Sequence, residues 1–527
     1  MWPFSRWRAH PGRGFPGGLQ LPAHKQQSTA RAVRPAALPG ELTLPLLQYG
    51  GAPAEPLLAE GQIVAKGQPL ARADGPFGST YLHAPTSGRV VALAARTIAH
   101  PSGLAAPCVV IASDGEERWA ELPEAWPDYR ERPPALLRQR IREAGIVGLG
   151  GAAFPTAAKL ESATAVELLI VNGAECEPYI SCDEMLMGER PGEIVEGTAI
   201  LCQALDLSRA LIAVEEDKPR AIAALREVLD GDRWPGLDLA VEVIPARYPS
   251  GGEKQLIQQL TGRQVPGGGL PADIGVICQN VGTAAAVAAA VLTGRPLISR
   301  YVTVTGDGVG EPQVREVLFG TPVGELIAQC GGYRDNTRQL LVGGPMMGFP
   351  LAHDRVPVDQ GCNCLLVHAN SPAVAEPEPC IRCGACHEVC PVGLLPQQLY
   401  WHTRARELAR AEDYHLSDCI ECGCCASVCP SHIPLVQYYR HAKTELRHRA
   451  EERRQADLAR DRYHARQARL AREQAERAAR HQRKKAPLTT PPAADDRTDN
   501  DKRAAIQAAR ERARQRRAAR PGNDTTD

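Results

Sequence analysis

The chain reads Cys380-x-x-Cys383-x-x-Cys386-x-x-x-Cys390-Pro391 and, after a spacer of helix length, Cys419-x-x-Cys422-x-x-Cys425-x-x-x-Cys429-Pro430. A [4Fe–4S] cube takes four thiolates, and a tight Cys-x-x-Cys-x-x-Cys loop can supply three of them from one side. The fourth thiolate has to come from elsewhere in the chain. The two runs therefore predict one domain that holds two iron–sulfur cubes.

The fourth cysteine of each run is predicted to cross to the other cube, as it does in two-cluster ferredoxins. We assign one cube to Cys380, Cys383, Cys386 and Cys429, and the second to Cys419, Cys422, Cys425 and Cys390. The proline after each crossing cysteine fits this assignment because it turns the chain away from the cube.

Two other uses of these cysteines remain open. Paired zinc knuckles also contain Cys-x-x-Cys, although structural zinc does not need two three-plus-one patterns that each end in Cys-Pro. Disulfides need an oxidising compartment, which nothing else in the sequence indicates. Among the other cysteines, Cys424 is predicted to pack beside a cube, and Cys362 and Cys364 to be buried or adjacent to a cluster.

The length and the charge of the chain limit the classes of protein to which it can belong. A chain of 527 residues is too long for one core and predicts about three or four domains. From Arg440 to the end there are 25 Lys and Arg against 14 Asp and Glu, so the formal net charge of zero hides a basic tail. Neither a secretory signal nor an apolar run of the roughly 20 residues that cross a bilayer is evident. We therefore expect an intracellular protein whose membrane contact, if any, is peripheral.

The first 125 residues predict an arm and a β-rich domain. Residues 1–40 are rich in Pro, Gly and Arg and predict an extended arm. Residues 41–125 contain short β-rich runs, of which 57–71 and 83–91 resemble the two halves of a barrel-sandwich hybrid fold of the lipoyl or biotinyl type. The tip between those halves lacks the lysine that carrier domains modify, so we expect a docking or structural module.

Residues 130–298 alternate helical and strand patterns and predict an α/β layered domain. A glycine-rich loop at 145–156 precedes Lys159. Glycines let a backbone approach a ligand closely, and free amides at a helix start bind phosphate. A buried strand then ends in Asn172-Gly-Ala-Glu175-Cys-Glu-Pro. Strand ends are where α/β sheets bind ligands.

The remaining chain predicts three further parts. Residues 299–352 predict a soluble-ligand-binding β-grasp module, and residues 368–438 the two-cluster ferredoxin-like domain, with 399–412 as the helix between its two cysteine runs. Residues 439–527 predict a charged tail, helical to about 485 and again near 502–520, and disordered after Pro487. The fold class is therefore multidomain α/β.

The α/β domain resembles the flavin- and NADH-binding subunit of respiratory NADH dehydrogenase. The resemblance rests on the glycine loop, the Asn172 segment, residues 248–254 and residues 279–283 taken together. It implies that the FMN phosphate region is held by Gly148, Gly150, Gly151 and Lys159. It also implies that the isoalloxazine and the nucleotide are lined by Asn172, Glu175 and Asn280.

The order of domains, with residues 17–25 in front, resembles the RnfC/RsxC family of the Rnf or Rsx ion-translocating oxidoreductase complexes from about residue 15 to 440. The resemblance implies a translocase component with FMN and two [4Fe–4S] clusters that exchanges electrons between NADH and ferredoxin or a similar carrier. It implies a peripheral position on the cytoplasmic side of the inner membrane, with integral and peripheral subunits as partners. No nucleic-acid partner is expected.

Two alternative functions remain at this point. The chain could be a scaffold and electron wire with no NADH site, or a soluble cobalamin reductase of similar domain order. The long basic tail and the arm favour the membrane complex. Binding of FMN and a response to NADH would separate the first alternative from the electron-transfer function.

Overall fold

The computed structural model describes residues 14–47, 53–75, 78–161, 165–231, 233–369, 376–485 and 499–518. The chain divides into two units, Met1–Leu446 and Arg447–Asp527. The first 13 residues of the predicted arm and the predicted disordered segment up to residue 498 lie outside the described residues. The first unit is a multidomain α/β assembly, which confirms the predicted fold class.

The described part of the arm contacts three domains. It contains the one-turn helix α1 (Gln26–Thr29) and the strand β1 (Arg34–Pro35). Leu19 pairs in antiparallel fashion with Tyr248 of the α/β domain, and the amide of Gly18 donates to the carbonyl of Val389 in the cysteine domain at 2.9 Å. The described part of the arm thus contacts the α/β domain and the cysteine domain, and its Arg34 pairs with Arg315 of the β-grasp module.

The barrel-sandwich domain consists of two small antiparallel sheets. Its strands are β2 (Glu41–Pro45), β3 (Glu55–Pro56), β4 (Ile63–Val64), β5 (Pro69–Gly75), β6 (Gly78–His83), β7 (Gly88–Thr97) and β8 (Ala105–Ser113). One sheet has the order β2-β8-β7-β4 and the other β3-β5-β6. Leu44, Leu70 and Ile111 are fully buried in the shared core. Burial of these side chains removes apolar surface from water and holds the two sheets together.

The α/β domain is built on a four-stranded parallel sheet. Its elements are α2 (Pro134–Glu143), α3 (Thr156–Glu161), β9 (Leu168–Gly173), α4 (Cys182–Glu189), α5 (Pro191–Leu205), β10 (Arg209–Glu215), α6 (Pro219–Leu229), β11 (Asp238–Ile244), α7 (Glu253–Thr261), β12 (Val276–Asn280) and α8 (Val281–Thr293). Strands buried on both faces are continuous apolar runs. Ile170 of β9 faces the α7 side with Ile257, and Val171 faces the opposite core with Ile200.

The strand order β11-β10-β9-β12 reverses direction at β9. From β9 the chain proceeds to β10 and β11 on one side, and β12 is added on the other. Crevices at the carboxyl ends of strands on either side of such a reversal are where open α/β sheets bind ligands. The sheet therefore places a candidate site between the ends of β9 and β12.

The β-grasp module is larger than predicted. Its elements are β13 (Ser299–Thr305), β14 (Gln313–Leu318), α9 (Val323–Ala328), β15 (Gln339–Val342), β16 (Phe349–Pro350) and β17 (Cys364–His368), in a sheet of order β1-β14-β13-β17-β15-β16. Strand β17 lies beyond the predicted limit of 352, yet it pairs with both β13 and β15. Cys362 and Cys364 are fully buried in this module. Of the two predicted alternatives, buried or adjacent to a cluster, the structure shows burial.

The cysteine domain is formed by short helices. They are α10 (Ala385–Glu388), α11 (Pro396–Arg404), α12 (Leu408–Asp413), α13 (Cys424–Ser427) and the start of α14 (Leu435–Lys485). The predicted single helix over 399–412 is two helices, because Arg406 has a left-handed φ of 59°. The amide of Glu407 donates to the carbonyl of His402 at 2.9 Å. This is the pattern that ends a helix with a left-handed residue.

The described part of the second unit consists of exposed charged helices. Every described residue from 451 to 485 is exposed, and α15 (Asp499–Ala518) is exposed over residues 499–515. This is what a sequence rich in Ala, Arg, Glu and Gln predicts. Within the parts of the chain that the structure describes, every helix is too short or too polar to span a lipid bilayer.

Candidate iron–sulfur and flavin sites

The cysteine domain contains two cavities, each lined by four cysteines. Cavity A is lined by Cys380, Cys383, Cys386 and Cys429. Cavity B is lined by Cys390, Cys419, Cys422 and Cys425. In each cavity three cysteines come from one run and the fourth from the other. The structure thus brings together the same sets of four that the sequence groups, and their role as cluster ligands remains a prediction.

The two cysteine loops share an unusual backbone. Arg382 and Gly384 have φ of 57° and 84°, and the matching Glu421 and Gly423 have 58° and 82°. Residues in the left-handed region that alternate with residues outside it curl a loop so that its amide N–H groups face one centre, which suits an anionic group. A donor set of four thiols suits an iron–sulfur cluster or zinc. The curled amides and the apolar walls fit the larger, anionic cube, and all 17 cysteines are free of disulfides.

Glu421 also lines cavity B. Two cationic side chains of α14 bind its carboxylate, so it is not free to act as a cluster ligand. Its carboxylate accepts hydrogen bonds from Arg440 Nε and Lys443 Nζ, both at 3.0 Å. Burial alone would raise the pKa of Glu421, but the bonds from Lys443 and Arg440 hold it below its ordinary value. The described lining of cavity A contains no carboxylate. Thiols therefore dominate both sites.

The predicted flavin residues Asn172 and Asn280 meet at the strand ends. They are direct register partners in the pairing of β9 with β12. Asn172 accepts from the amide of Ala174 at 3.0 Å and donates to the carbonyl of Gly251 at 2.9 Å. Asn280 accepts from the amide of Gly282 at 2.8 Å, which caps α8, and donates to Asp183 Oδ2 at 2.7 Å. Both amide side chains are thus fixed by the protein itself.

The glycine loop lies against the start of α8. The amide of Leu149 donates to Thr283 Oγ1 at 2.9 Å, and a Cβ built on Gly150 would lie 3.6 Å from Asn280 Cβ. Gly151 has a φ of 109°, and a Cβ there would meet no described atom within 4 Å. Open space therefore adjoins Gly151 beside the strand ends, where a flat ligand can approach the backbone.

Gly148 and Lys159, which were predicted to hold the FMN phosphate, instead make hydrogen bonds within the protein. The amide of Gly148 donates to the carbonyl of Phe154 at 2.8 Å, which closes the loop. Lys159 Nζ donates to the carbonyl of Cys278 at 2.7 Å and pairs with Glu253. The lysine predicted to hold phosphate is thus directed to β12 and α7, and the helix α3 that carries it has only six residues.

Glu175, the seventh predicted flavin residue, caps α4 from a buried position. Its carboxylate accepts from the amides of Asp183 at 2.9 Å and Glu184 at 3.2 Å. Lys25 of the arm lies 3.7 Å from Glu175 Oε2, and both residues are 7% exposed. Burial, with the nearby Glu175 carboxylate, raises the pKa of Asp183 to about 7. Sequence reasoning missed Asp183, which carries no motif, and quoted Lys25 only as part of the front segment.

Glu177 contacts the β-grasp module. Its Oε1 accepts from the amides of Met346 at 2.7 Å and Met347 at 3.1 Å. Burial raises its pKa. The second acid of the Asn172 segment therefore ties the α/β domain to the β-grasp module. Met346 is partly buried at this contact, and Met347 is 47% exposed.

Four family models match successive parts of the chain. They are the RnfC barrel sandwich hybrid domain over residues 13–116, the Nuo51 FMN-binding domain over 141–289, the SLBB domain over 301–350 and the 4Fe-4S dicluster domain over 379–433. The models follow the order of the domains predicted from the sequence. They describe an FMN-binding domain and a cluster domain in one chain.

Several curated relatives, each described as a subunit of an ion-translocating oxidoreductase complex, are similar over most of this chain. The protein of Pseudomonas aeruginosa is 51% identical over 470 residues, which cover 88% of this chain and 60% of the relative. That of Vibrio cholerae is 46% identical with the same two coverages. This chain thus spans about three fifths of those two relatives. The protein of Pectobacterium atrosepticum is 46% identical over 519 residues, 98% of this chain and 72% of the relative. The domain order, the cysteine domain and these identities agree, and the chain belongs to the RnfC family of ion-translocating oxidoreductase complex subunits.

Proposed function

We propose that this chain transfers electrons between NADH and ferredoxin or a similar carrier, as the peripheral subunit of a membrane complex that couples this transfer to ion translocation. The observation that carries the proposal is the presence, in one unit, of two four-thiol cavities and a strand-end crevice in a domain that matches an FMN-binding model. The family supports integral and peripheral subunits as partners. It also supports a position on the cytoplasmic side of the inner membrane.

The residues fit FMN and two [4Fe–4S] clusters. Cavity A and cavity B would each hold one cube through their four cysteines. Gly150 and Gly151 would leave room for FMN beside Asn172 and Asn280, which fix the strand ends. When bound, FMN accepts two electrons as a hydride and releases them singly, and each cube carries one electron.

Two protein groups at the crevice, Asp183 and Lys25, can exchange a proton or supply a positive charge. Asp183 shares a hydrogen bond with Asn280, and its pKa of about 7 lets its carboxyl hold or release a proton near neutral pH. Lys25 places a positive charge beside Glu175. Because both groups are buried, their charges are screened little by water. The crevice thus contains one cation beside Glu175 and, in Asp183, one group that can change its charge near neutral pH.

An anaerobic titration tests the proposal. The full chain is reconstituted with iron, sulfide and FMN, NADH is added, and visible absorbance is recorded. We expect bleaching of the flavin bands followed by the broad cluster band. A Cys383→Ser/Cys422→Ser double variant is the control, in which NADH should bleach the flavin bands alone. If dithionite bleaches the native clusters while NADH changes nothing, the chain does not accept electrons from NADH.

One observation favours a scaffold and electron wire without an NADH site as a second candidate. Asn172, Asn280, Glu175 and Lys159 already direct their polar atoms to partners inside the protein. A dinucleotide would have to replace some of these bonds. FMN retention after gel filtration, together with the NADH titration, separates the two candidates.

A further inference from the structure

The two cysteine loops have the same sequence pattern but opposite surroundings. In the loop of cavity A, Ile381 is 69% exposed and Cys383 is exposed. In the loop of cavity B, Cys422 is 7% exposed and the adjacent Cys424 is fully buried. The second loop is covered by residues from outside the cysteine domain, so the fold distinguishes the two cavities although the sequence pattern does not.

Tyr248 of the α/β domain makes the central contact with the loop of cavity B. Its hydroxyl donates to the carbonyl of Cys422 at 2.6 Å. Tyr248 is 3% exposed and packs with Leu19 of the arm and Met346 of the β-grasp module.

The turn that begins at Tyr248 reaches the flavin crevice at its other end. Three residues later, the carbonyl of Gly251 accepts from Asn172 Nδ2 at 2.9 Å, and the amide of Gly251 donates to Cys176 Sγ at 3.3 Å. A Cβ on Gly251 would lie 2.5 Å from the carbonyl oxygen of Ala174, so the turn packs tightly on the end of β9. One short turn therefore connects Asn172 with the loop of cavity B.

We infer that the cube of cavity B exchanges electrons directly with the flavin, and that Tyr248 is the positioning residue that holds the loop of this cube against the strand ends. The inference rests on the proposed function, because it requires FMN in the crevice and a cube in each cavity. For each NADH oxidised to NAD⁺, two electrons would leave FMN one at a time and the flavin's protons would go to water. The cysteines of cavity B would hold the cube that accepts each electron first, and those of cavity A the cube that receives one of the two by transfer within the domain, so that each oxidised cube would gain one electron.

Two cysteine variants test the order. In Cys383→Ser, which removes a ligand of cavity A, we expect NADH to reduce the remaining cube. In Cys422→Ser, which removes a ligand of cavity B and keeps the backbone carbonyl, we expect dithionite but not NADH to reduce the remaining cube. Iron content and the electron paramagnetic resonance signal of each variant show which cube is present and reduced.

The opposite pattern, with NADH reducing the cube of Cys422→Ser at the native rate, would overturn the inference. NADH bleaching of the flavin bands in the native chain separates this failure from failure of the proposed function. If NADH leaves the native flavin oxidised, the proposed function fails, and light-driven reduction of bound FMN then replaces NADH in the same two variants. Reduction of the cube in Cys422→Ser from photoreduced FMN would again overturn the inference, and reduction only in Cys383→Ser would support it.

Tyr248→Phe tests the positioning role. It should slow flavin-to-cube electron transfer by about tenfold or more, since small displacements of reacting partners have large effects on rate. Faster hydrogen–deuterium exchange at residues 419–425 should accompany it, with iron content unchanged. Tyr129→Phe is the matched control, because its hydroxyl donates to Glu196 at 2.7 Å from a side chain that is 2% exposed. Equal transfer rates and exchange in the two variants would show that Tyr248 does not position the loop.

Discussion

Asn172 and Asn280 face each other as register partners at the carboxyl ends of β9 and β12. Each uses both ends of its amide side chain, but in different directions. Asn172 holds the turn of residues 248–251, and Asn280 holds Asp183 and the start of α8. The reversal of strand order thus brings together the glycine loop, Glu175 with Asp183, and the turn whose Tyr248 contacts the loop of cavity B.

Asn280→Ala should lower both stability and FMN affinity. The variant loses the cap of α8 and the donor to Asp183. Loss of an N-cap costs about 1 kcal/mol of the free energy of unfolding. Asn280→Ser is the matched variant, because serine can cap the helix but does not reach Asp183 as a donor. Thermal melting and flavin fluorescence titration measure the two effects, and equal melting of Asn280→Ala and the native chain would contradict the cap.

Lys25→Met should destabilise the first unit far more than Arg31→Met. Lys25 and Glu175 are both 7% exposed, and removal of one partner leaves a buried carboxylate without its cation, which costs about 3 kcal/mol. Arg31 pairs with Glu311 at the surface, with side chains 54% and 52% exposed. Such a pair contributes less than about 1 kcal/mol.

The double variant Lys25→Met/Glu175→Gln identifies the cause of that loss. It removes both charges, so part of the lost stability should return. Melting temperatures of the native chain and of the single and double variants, measured at one pH, give the comparison. If Lys25→Met melts like Arg31→Met, the buried pair does not hold the arm on the α/β domain.

The crossed cysteine sets can be tested by iron content. Cys429→Ser should lower iron from about eight to about four atoms per chain. Addition of Cys383→Ser, in the same cavity, should cause little further loss, whereas addition of Cys422→Ser should remove the rest. The effects of two mutations within one site do not add, because the first already removes what the second would remove.

Cys424→Ala is the matched control for the iron measurements. Cys424 is fully buried between ligands of cavity B, but it does not line the cavity. The Cys424→Ala variant should retain about eight iron atoms per chain. A further loss of half the iron on adding Cys383→Ser to Cys429→Ser would show that the two cysteines belong to different clusters.

The cysteine grouping and the domain order could be predicted because their signals are local. Ligand spacing within each run limits which cysteines can surround one cavity, and strands and helices follow hydrophobic periodicity. The break at Arg406 depends on one residue that adopts a left-handed conformation, and no glycine or proline marks it. Strand β17 was missed because it pairs with β13 and β15, which lie much earlier in the chain. Such long-range pairing follows from the fold and leaves no local pattern in the sequence.

The electrostatics of the crevice could not be predicted from the sequence. Lys25 and Glu175 are 150 residues apart, and Asp183 reaches Asn280 across 97 residues. No local pattern brings such groups together. The same holds for Tyr248 and Cys422, which lie 174 residues apart and touch only because the arm, the α/β domain and the cysteine domain pack on one another.

Asp183 should make the stability of the first unit depend on pH. Burial and Glu175 raise its pKa from the ordinary 3.8 to about 7, so the folded chain binds this proton more tightly than the unfolded chain. Its contribution to stability is therefore full below about pH 4 and is lost as the pH rises through about 7. Asp183→Asn has no such titration, and its melting temperature relative to the native chain should rise between pH 5 and pH 8. The difference corresponds to on the order of 2 kcal/mol of the free energy of unfolding. Asp413→Asn, at an exposed position on α12, is the surface control, and an offset for Asp183→Asn that is the same at pH 5 and pH 8 would refute the raised pKa.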